Sequence, residues 1–141
     1  MRAISIKQPW VECILSHGKD IENRSWKPPA HIIGQRVAIH ASTKFDKVGA
    51  MFANVLAGQD FFSQTLPVGK IVGTCIIAGW IETETKLTSE LSMIAYLDSE
   101  WIMGDRYGWV LKDVLKLDTP IPATGALGFW RVPGEIASRL E

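Results

Sequence analysis

The sequence has no excess charge of either sign, few cysteines and no long apolar run, and each shortage excludes a class of protein. Lys plus Arg and Asp plus Glu both number 15, so the formal net charge is zero and no overall field draws the chain toward nucleic acid or a membrane surface. An electrostatic binding site must therefore be a local patch. No stretch approaches the ~20 apolar residues of a membrane-spanning helix, and the N-terminus has no signal-peptide pattern, so no membrane partner is expected.

Metal and disulfide signals are also scarce. The two cysteines, Cys13 and Cys75, lie far apart in apolar runs typical of buried thiols. Such thiols suit a reducing compartment, so we expect a soluble, cytoplasmic protein. The three histidines, His17, His31 and His40, have no metal-type spacing to each other or to the cysteines, and neither a metal site nor a cofactor is predicted. This argument leaves open a metal site assembled from distant residues. Glycine-rich phosphate loops and the Gly-x-Ser-x-Gly nucleophile elbow are missing too.

The length and the pattern of apolar residues indicate the fold class. At 141 residues with 47% hydrophobic composition, the chain fits a single domain, residues 1–141, with a substantial core. Strands are predicted at 3–7, 36–40, 70–81, 107–111 and 125–132. Two substantial helices are predicted, one from Pro9 to His17-Gly18 and one from an N-cap at Ser42 to Ala57-Gly58. This content favours an α+β fold with a small β-barrel and flanking helices over a doubly wound sheet.

The sequence also predicts features of the second helix, of the acidic segment and of the C-terminal end. The second predicted helix carries one large apolar face, formed by Phe45, Val48, Met51, Phe52 and Val55. Residues 82–106 are polar and acidic, with a short helix predicted at 89–94 and a role that the sequence leaves open. A short terminal helix is predicted to begin at 134–135.

The stretch from Lys19 to Trp26 is the most polar strand candidate, with Ile21 as its single aliphatic residue. In an extended chain, side chains alternate between faces, so Glu22 and Arg24 would lie side by side. Asp20 and Trp26 would share their face, while Ile21, Asn23 and Ser25 would line the other. A surface ion pair worth about 0 to 1 kcal/mol is one explanation, and a functional polar site is the other.

Other candidate binding residues lie elsewhere along the chain. His40 and Ser42 are predicted at a turn between a strand and a helix N-terminus, which can hold an anion through its backbone N–H groups and its dipole. Four tryptophans could offer flat faces for a nucleobase: Trp10, Trp26, Trp109 and Trp130. Each residue also has an ordinary structural explanation, as a hydrogen-bonded histidine, a helix cap or core filling.

The polar stretch resembles the signature of the ASCH domain family, in the PUA-like superfamily, whose pattern is Gly-x-Lys-x-x-Glu-x-Arg. Lys19, Glu22 and Arg24 match this pattern, and the family glycine falls at His17 with Gly18 beside it. Further matches follow in order along nearly the whole chain, at 7–10, 39–42, 108–111 and 125–130.

The resemblance implies a PUA-like β-barrel with helices around it and a cleft that binds RNA or a nucleotide-like ligand. The implied ligand-binding residues are Lys19, Glu22, Arg24, Trp10, Trp26, His40 and Ser42. Lys19 and Arg24 suit phosphate groups, whereas Glu22 can accept a hydrogen bond from an amino group of a base.

The same resemblance also implies an enzymatic alternative. Some relatives are amidohydrolases that deacylate N4-acetylcytidine with a Lys and a Thr of the motif and a Glu from elsewhere, and others are reported to cleave RNA. If this chain is an enzyme, Lys19 and Glu22 are the predicted catalytic residues. Glu22 occupies the Thr position, where it can act as a general base but not as a hydroxyl nucleophile, so N4-acetylcytidine is expected to be a poor substrate at best. A small-molecule or protein-interaction module is the third candidate, and the oligomeric state is left open.

Overall fold

The computed structural model describes residues 1–140, which form six strands and short helices around them. The strands are β1 (Arg2–Gln8), β2 (Ile21–Arg24), β3 (Arg36–Phe45), β4 (Lys70–Glu82), β5 (Tyr107–Pro122) and β6 (Phe129–Arg131). The α-helices are α1 (Trp10–Ser16), α2 (Lys47–Ala57) and α3 (Gly134–Ala137), and two 3₁₀ helices cover Phe61–Ser63 and Leu91–Asp98. All six strands belong to one sheet, in the order β2-β5-β4-β3-β1-β6, which confirms the predicted α+β class. None of the described helices has the length and apolar character needed to cross a membrane.

The chain divides into two compact units. The first unit contains Met1–Gly18, Val37–Cys75 and the described residues from Val114 onward, and the second contains Lys19–Arg36 and Ile76–Asp113. Three of the four boundaries fall inside strands, in β3, β4 and β5, rather than in linkers.

In the first unit, β1 pairs in parallel with β3 and antiparallel with β6. This register sets Ser5 opposite His40, and Ala3 opposite both Ala38 and Trp130. Ala3 and Ser5 are two residues apart and therefore face the same side of the sheet, where Ala3 is buried and Ser5 is half-buried. A cluster of the buried core is formed by Ala3, Ala38, Ile71, Ile121 and Val132.

Three of the four ends of helices α1 and α2 follow local sequence signals. Helix α1 begins after Pro9 and ends at His17, and Gly18 takes the left-handed φ of 74° that glycine adopts without strain, as predicted. Helix α2 ends at Gly58, also as predicted. The predicted N-cap at Ser42 is wrong, because β3 stays paired with β1 as far as Phe45 and the helix begins only after Asp46.

Helix α2 packs through its smallest residues. Gly49, Ala50 and Ala53 are buried, and a Cβ atom on Gly49 would lie only 2.7 Å from Cζ2 of Trp10. The helix therefore approaches Trp10 too closely for a larger side chain. An apolar helix face ordinarily faces the core, but here the large apolar residues are turned outward. The exposed fractions are 69% for Val48, 63% for Met51, 55% for Phe52 and 82% for Val55.

In the second unit, β2 pairs antiparallel with β5, which places Glu22 opposite Trp109 and Arg24 opposite Tyr107. Ile21 is fully buried on the other face. The Asn23 side chain on that face donates to the Trp101 carbonyl at 2.9 Å and accepts from the Met103 N–H at 3.0 Å. The predicted alternation is thus confirmed within β2, whereas Asp20, Ser25 and Trp26 lie outside the strand.

The same contacts locate residues 82–106, whose role the sequence left open. The Ser99 hydroxyl donates to the Asp20 carboxylate at 2.6 Å, and Asn23 binds the backbone at 101 and 103. A helix was predicted at 89–94, and a 3₁₀ helix forms at Leu91–Asp98 with Met93 buried. The segment is therefore anchored against the charged stretch within the second unit.

Candidate functional site

Lys19, Glu22 and Arg24 form one ion cluster in the second unit. Oε1 of Glu22 lies 3.2 Å from Nζ of Lys19, and Oε2 lies 2.9 Å from Nη2 of Arg24. Nε of Arg24 also donates to Oε2, at 3.0 Å, and Nζ of Lys19 also donates to the Ile21 carbonyl. Each carboxylate oxygen of Glu22 therefore binds a different cation, and the three side chains together carry a formal charge of +1.

Burial within this cluster decreases toward Arg24. Lys19 is 2% exposed and Glu22 is 6% exposed, whereas 23% of the Arg24 side chain is exposed. Ions this deeply buried lose their hydration and must be compensated by charge and hydrogen bonds, so the explanation of a weak surface ion pair does not apply here. Arg24 is the member of the cluster that reaches solvent.

Trp109 borders Arg24, and Trp26 packs on Trp109. Cζ of Arg24 lies 5.6 Å from the centre of the Trp109 ring, a cation–π distance. Trp26 packs edge-to-face on Trp109, with ring centres 4.7 Å apart, and its carbonyl accepts the Trp109 indole N–H at 2.8 Å. Trp109 is fully buried, while Trp26 is 37% exposed. Trp109 is therefore a buried part of the site, and Trp26 is the ring that a ligand can reach.

A second set of cations and aromatics in this unit was missed by the sequence analysis. Nζ of Lys27 lies 4.5 Å from the Trp80 ring centre, and Cζ of Arg106 lies 5.1 Å from that of Tyr107. Nε of Arg106 also binds the Glu82 carboxylate, at 3.2 Å. The period-2 spacing of Tyr107 and Trp109 was the available signal, since it puts both rings on one face of β5.

The carboxyl of Glu82 is held in its charged form. The Thr85 hydroxyl donates to it at 2.8 Å and lowers its pKa. Burial opposes this effect, but the Arg106 guanidinium adds to it, so the pKa of Glu82 lies below its ordinary value. Glu82 therefore keeps Arg106 paired at neutral pH.

His40 lies in the first unit, in a network with defined donors and acceptors. Its Nε2 lies 2.8 Å from the Ala123 carbonyl, and its Nδ1 lies 2.9 Å from the Ser5 hydroxyl. Because a carbonyl can only accept, Nε2 carries the proton, and in the neutral ring Nδ1 accepts from Ser5. The Ser5 oxygen in turn accepts the Trp130 indole N–H at 3.1 Å. These groups therefore form a continuous chain of hydrogen bonds.

This His40 network is closed off by the main chain of Gly125. A Cβ atom on Gly125 would lie 2.5 Å from Oγ of Ser5 and 2.6 Å from Cε1 of His40. The Trp130 ring packs edge-to-face on His40, with centres 5.4 Å apart. His40 itself is 3% exposed. Only glycine fits at 125, and it covers the imidazole.

The two remaining candidates also lie in the first unit. The Trp10 indole N–H donates to Oδ2 of Asp46 at 2.9 Å, and the Ser42 hydroxyl oxygen accepts from the Lys44 N–H at 3.2 Å. Ser42 lies within β3, and α2 begins at Lys47. The prediction that His40 and Ser42 border a helix N-terminus is therefore wrong, because β3 extends past both residues.

Asp46, which sequence reasoning did not single out, caps α2 as a carboxylate. Its Oδ1 accepts the Gly49 N–H at 2.8 Å. Burial would raise the pKa of Asp46, but the hydrogen bonds from Trp10 and Gly49, with the charge of Lys7, outweigh it and lower the pKa below its ordinary value. The residue is thus charged when it caps the helix.

Comparison with known proteins bears on the fold and the family. The family model described as the ASCH domain matches residues 4–120. Among solved structures, an ASCH protein from Zymomonas mobilis is similar with a TM-score of 0.55 at 16% identity, over 98% of this chain and 91% of that chain. A serine-to-alanine mutant of the Zymomonas mobilis protein gives a TM-score of 0.54 at 15% identity, over 98% of this chain and 92% of that one. No curated protein matches the chain. At these identities the structural likeness shows the fold, and the family model, which spans most of the sequence, shows that the chain belongs to the ASCH domain family.

Proposed function

We propose that this protein binds RNA or a nucleotide, that residues 1–141 act as a single ASCH domain, and that the ligand contacts Arg24 and Trp26. ASCH domains are generally RNA-binding, which supports the ligand class. The observation that carries the proposal is the pairing of a partly exposed guanidinium with an exposed tryptophan over a buried aromatic ring. We also propose that the protein acts in the cytoplasm, in keeping with its two buried thiols.

The chemistry of the two groups is complementary to a nucleotide. A guanidinium binds phosphate through charge-assisted hydrogen bonds, and its planar fork suits two phosphate oxygens. Stacking of a base on an exposed aromatic ring is worth about 1 to 3 kcal/mol and does not depend on which base is present. Arg24 and Trp26 both contact Trp109, so in this proposal the phosphate of a nucleotide binds Arg24 while its base stacks on Trp26.

Lys19 and Glu22 act as positioning residues in this proposal. Glu22 binds Arg24 through Oε2 and Lys19 through Oε1, so the carboxylate fixes the guanidinium while Lys19 balances its charge. A preorganised guanidinium loses less conformational entropy when a phosphate binds. In this proposal Lys19, Glu22 and Arg24 act together, and Arg24 is the residue of the three that contacts the ligand.

We propose structural roles for the candidates of the first unit. Both ring nitrogens of His40 are hydrogen-bonded inside the protein, and Gly125 covers the ring. The Trp10 indole N–H binds the helix-capping Asp46, and the Ser42 oxygen accepts a local backbone N–H. Each of these polar groups already stabilises the fold.

Hydrolysis of RNA or of an acylated nucleoside remains the alternative, and burial argues against it. A general base must come within hydrogen-bonding distance of the proton that it removes. Lys19 and Glu22 are 2% and 6% exposed and bind each other, so a substrate would reach them only after the cluster opened. Recognition needs no such rearrangement.

The test is a binding and turnover assay with fluorescently labelled single-stranded RNAs, cytidine and N4-acetylcytidine. We expect wild type to bind RNA, and Arg24→Gln and Trp26→Leu each to weaken binding about tenfold or more. Arg131→Gln, which changes an exposed arginine on β6, is the matched control and should bind like wild type. The proposal fails if wild type binds no RNA or if the Arg24 and Trp26 variants match the control. Product formed by wild type and lost in Lys19→Met would instead favour the hydrolase.

A further inference from the structure

The outward face of α2 is an uninterrupted apolar surface. It consists of Val48, Met51, Phe52 and Val55, and the following 3₁₀ helix, which contacts α2, adds Phe62 at 55% exposure. The Phe62 ring packs against Phe45, with centres 5.8 Å apart, which ties the 3₁₀ helix to the end of β3. We call Val48, Met51, Phe52, Val55 and Phe62 the α2 patch.

The sequence around the α2 patch contains no charge over an unusual length. Residues 48–59 include no Asp, Glu, Lys or Arg, although charged residues make up 21% of the chain. Solvent-facing helices normally carry charges opposite their buried face. The lack of charge at this exposed helix face is typical of a surface that is covered by another protein.

The size of the α2 patch fits one half of a standard interface. Five large side chains, each more than half exposed, present an apolar area on the order of 500 Å². A stable interface buries about 800 Å² per partner, of which somewhat more than half is apolar. The α2 patch therefore supplies the apolar part of such an interface without any further surface.

The charges at the two ends of the α2 patch point to the partner. Exposed Lys47 lies at the first residue of α2, and exposed Asp60 lies just past its last turn. If two copies of α2 pack antiparallel across a two-fold axis, Lys47 of each copy meets Asp60 of the other. The same register sets Phe52 of one copy against Val55 of the second. The surface is thus complementary to itself, with apolar residues against apolar residues and opposite charges at the two ends, as an isologous contact requires.

We propose that the α2 patch is the interface of a homodimer, formed by antiparallel packing of α2 against α2 of a second copy. The helix is 11 residues long, or about 16 Å, so the contact is compact and Phe62 extends it. Lys47 also lies within one turn of the helix N-terminus and Asp60 lies beyond its C-terminus, so the pairing is specific for the antiparallel direction. This inference does not depend on the ligand of the second unit.

The first test measures the mass of the full chain by sedimentation equilibrium from about 1 to 100 µM. We expect a monomer–dimer equilibrium in wild type and at least a tenfold larger dissociation constant in Val55→Lys. Lysine has a higher helix propensity than valine and is favourable near a helix C-terminus, so this variant should fold. Leu115→Lys changes a leucine of β5 that is 53% exposed and should dimerise like wild type. A wild-type monomer at every concentration, masses that rise beyond the dimer, or equal effects of the two variants would overturn the proposal.

A charge exchange tests the antiparallel register. Lys47→Asp and Asp60→Lys should each weaken the dimer severalfold, because each places like charges together, and the double variant should restore it. Lys47→Asp places an acid in the first turn, where it favours the helix. Asp60 also accepts the Phe62 N–H, but that bond is lost equally in Asp60→Lys and in the double variant. A double variant no tighter than Asp60→Lys would contradict this arrangement.

Discussion

The protein holds two polar clusters, one in each compact unit, that differ in charge and in whether a member reaches solvent. In the first unit, both ring nitrogens of His40 are hydrogen-bonded inside the protein, and Gly125 covers the ring. In the second unit, the Lys19–Glu22–Arg24 cluster is charged and ends at an arginine that is partly exposed. A charged network with a member that reaches solvent can bind a ligand, whereas a network around a buried imidazole mainly stabilises the fold. The two clusters therefore differ both in residue types and in the exposure of their functional groups.

The largest expected effect is on stability, in the charged cluster. Glu22→Ala leaves the buried ammonium of Lys19 without its carboxylate, and the loss of one partner of a buried ion pair costs about 3 to 5 kcal/mol. Urea denaturation measures this as a fall in the free energy of unfolding. Glu22→Gln keeps an oxygen for Lys19 and should lose less. A change below about 1 kcal/mol in Glu22→Ala would mean that the pair behaves as a surface ion pair.

A smaller effect is expected in the His40 network. His40→Ala removes the acceptor of the Ser5 hydroxyl proton and the donor to the Ala123 carbonyl, each within 3 Å of the ring. Leaving such groups unsatisfied costs about 1 to 3 kcal/mol. RNA affinity, measured under conditions where the variant is folded, should stay within about twofold of wild type. An affinity loss comparable to that of Arg24→Gln would remove the distinction between the clusters.

The contact between Glu22 and Arg24 was predictable from the sequence, but the residues around the charged cluster were not. Glu22 and Arg24 are two residues apart in an extended stretch, so their pairing follows from strand geometry alone. The contacts with Trp109 and the anchoring of residues 99–103 depend on the register of β2 against β5 and on long-range hydrogen bonds. Local sequence patterns carry no information on that register.

Pairing between distant strands also explains where the predicted secondary structure was wrong. The ends of α1 and α2 at Gly18 and Gly58 were predictable, because glycine adopts a positive φ without strain. Ser42 was a suitable N-cap by residue type, but pairing of β3 with β1 overrode that preference. Likewise β5 was predicted at 107–111 and extends to Pro122. Helix α2 buries its small residues Gly49, Ala50 and Ala53, so its large apolar face is exposed.

The smallest stability effect concerns pH in the first unit. The lowered pKa of Asp46 means that its charged form stabilises the folded state above the ordinary value of 3.8, and that this contribution is lost as the pH falls below that value. Asp46→Asn keeps a capping oxygen but not the charge. We expect it to be less stable than wild type at pH 7 by about 0.3 to 1 kcal/mol, with the difference shrinking toward pH 3. Thermal unfolding across this range checks the trend, and a difference that grows at low pH would contradict it.

The most direct test of the ligand site is the salt dependence of RNA binding in wild type, Arg24→Gln and Trp26→Leu. If Arg24 contacts a phosphate, its loss should reduce the slope of log affinity against log salt concentration by about 0.7, the value for one contact to a single strand. Trp26→Leu should lower affinity equally at every salt concentration and leave the slope unchanged, because stacking releases no counterion. A slope in Arg24→Gln equal to that of wild type would contradict the account, since the guanidinium would then not contact the RNA backbone.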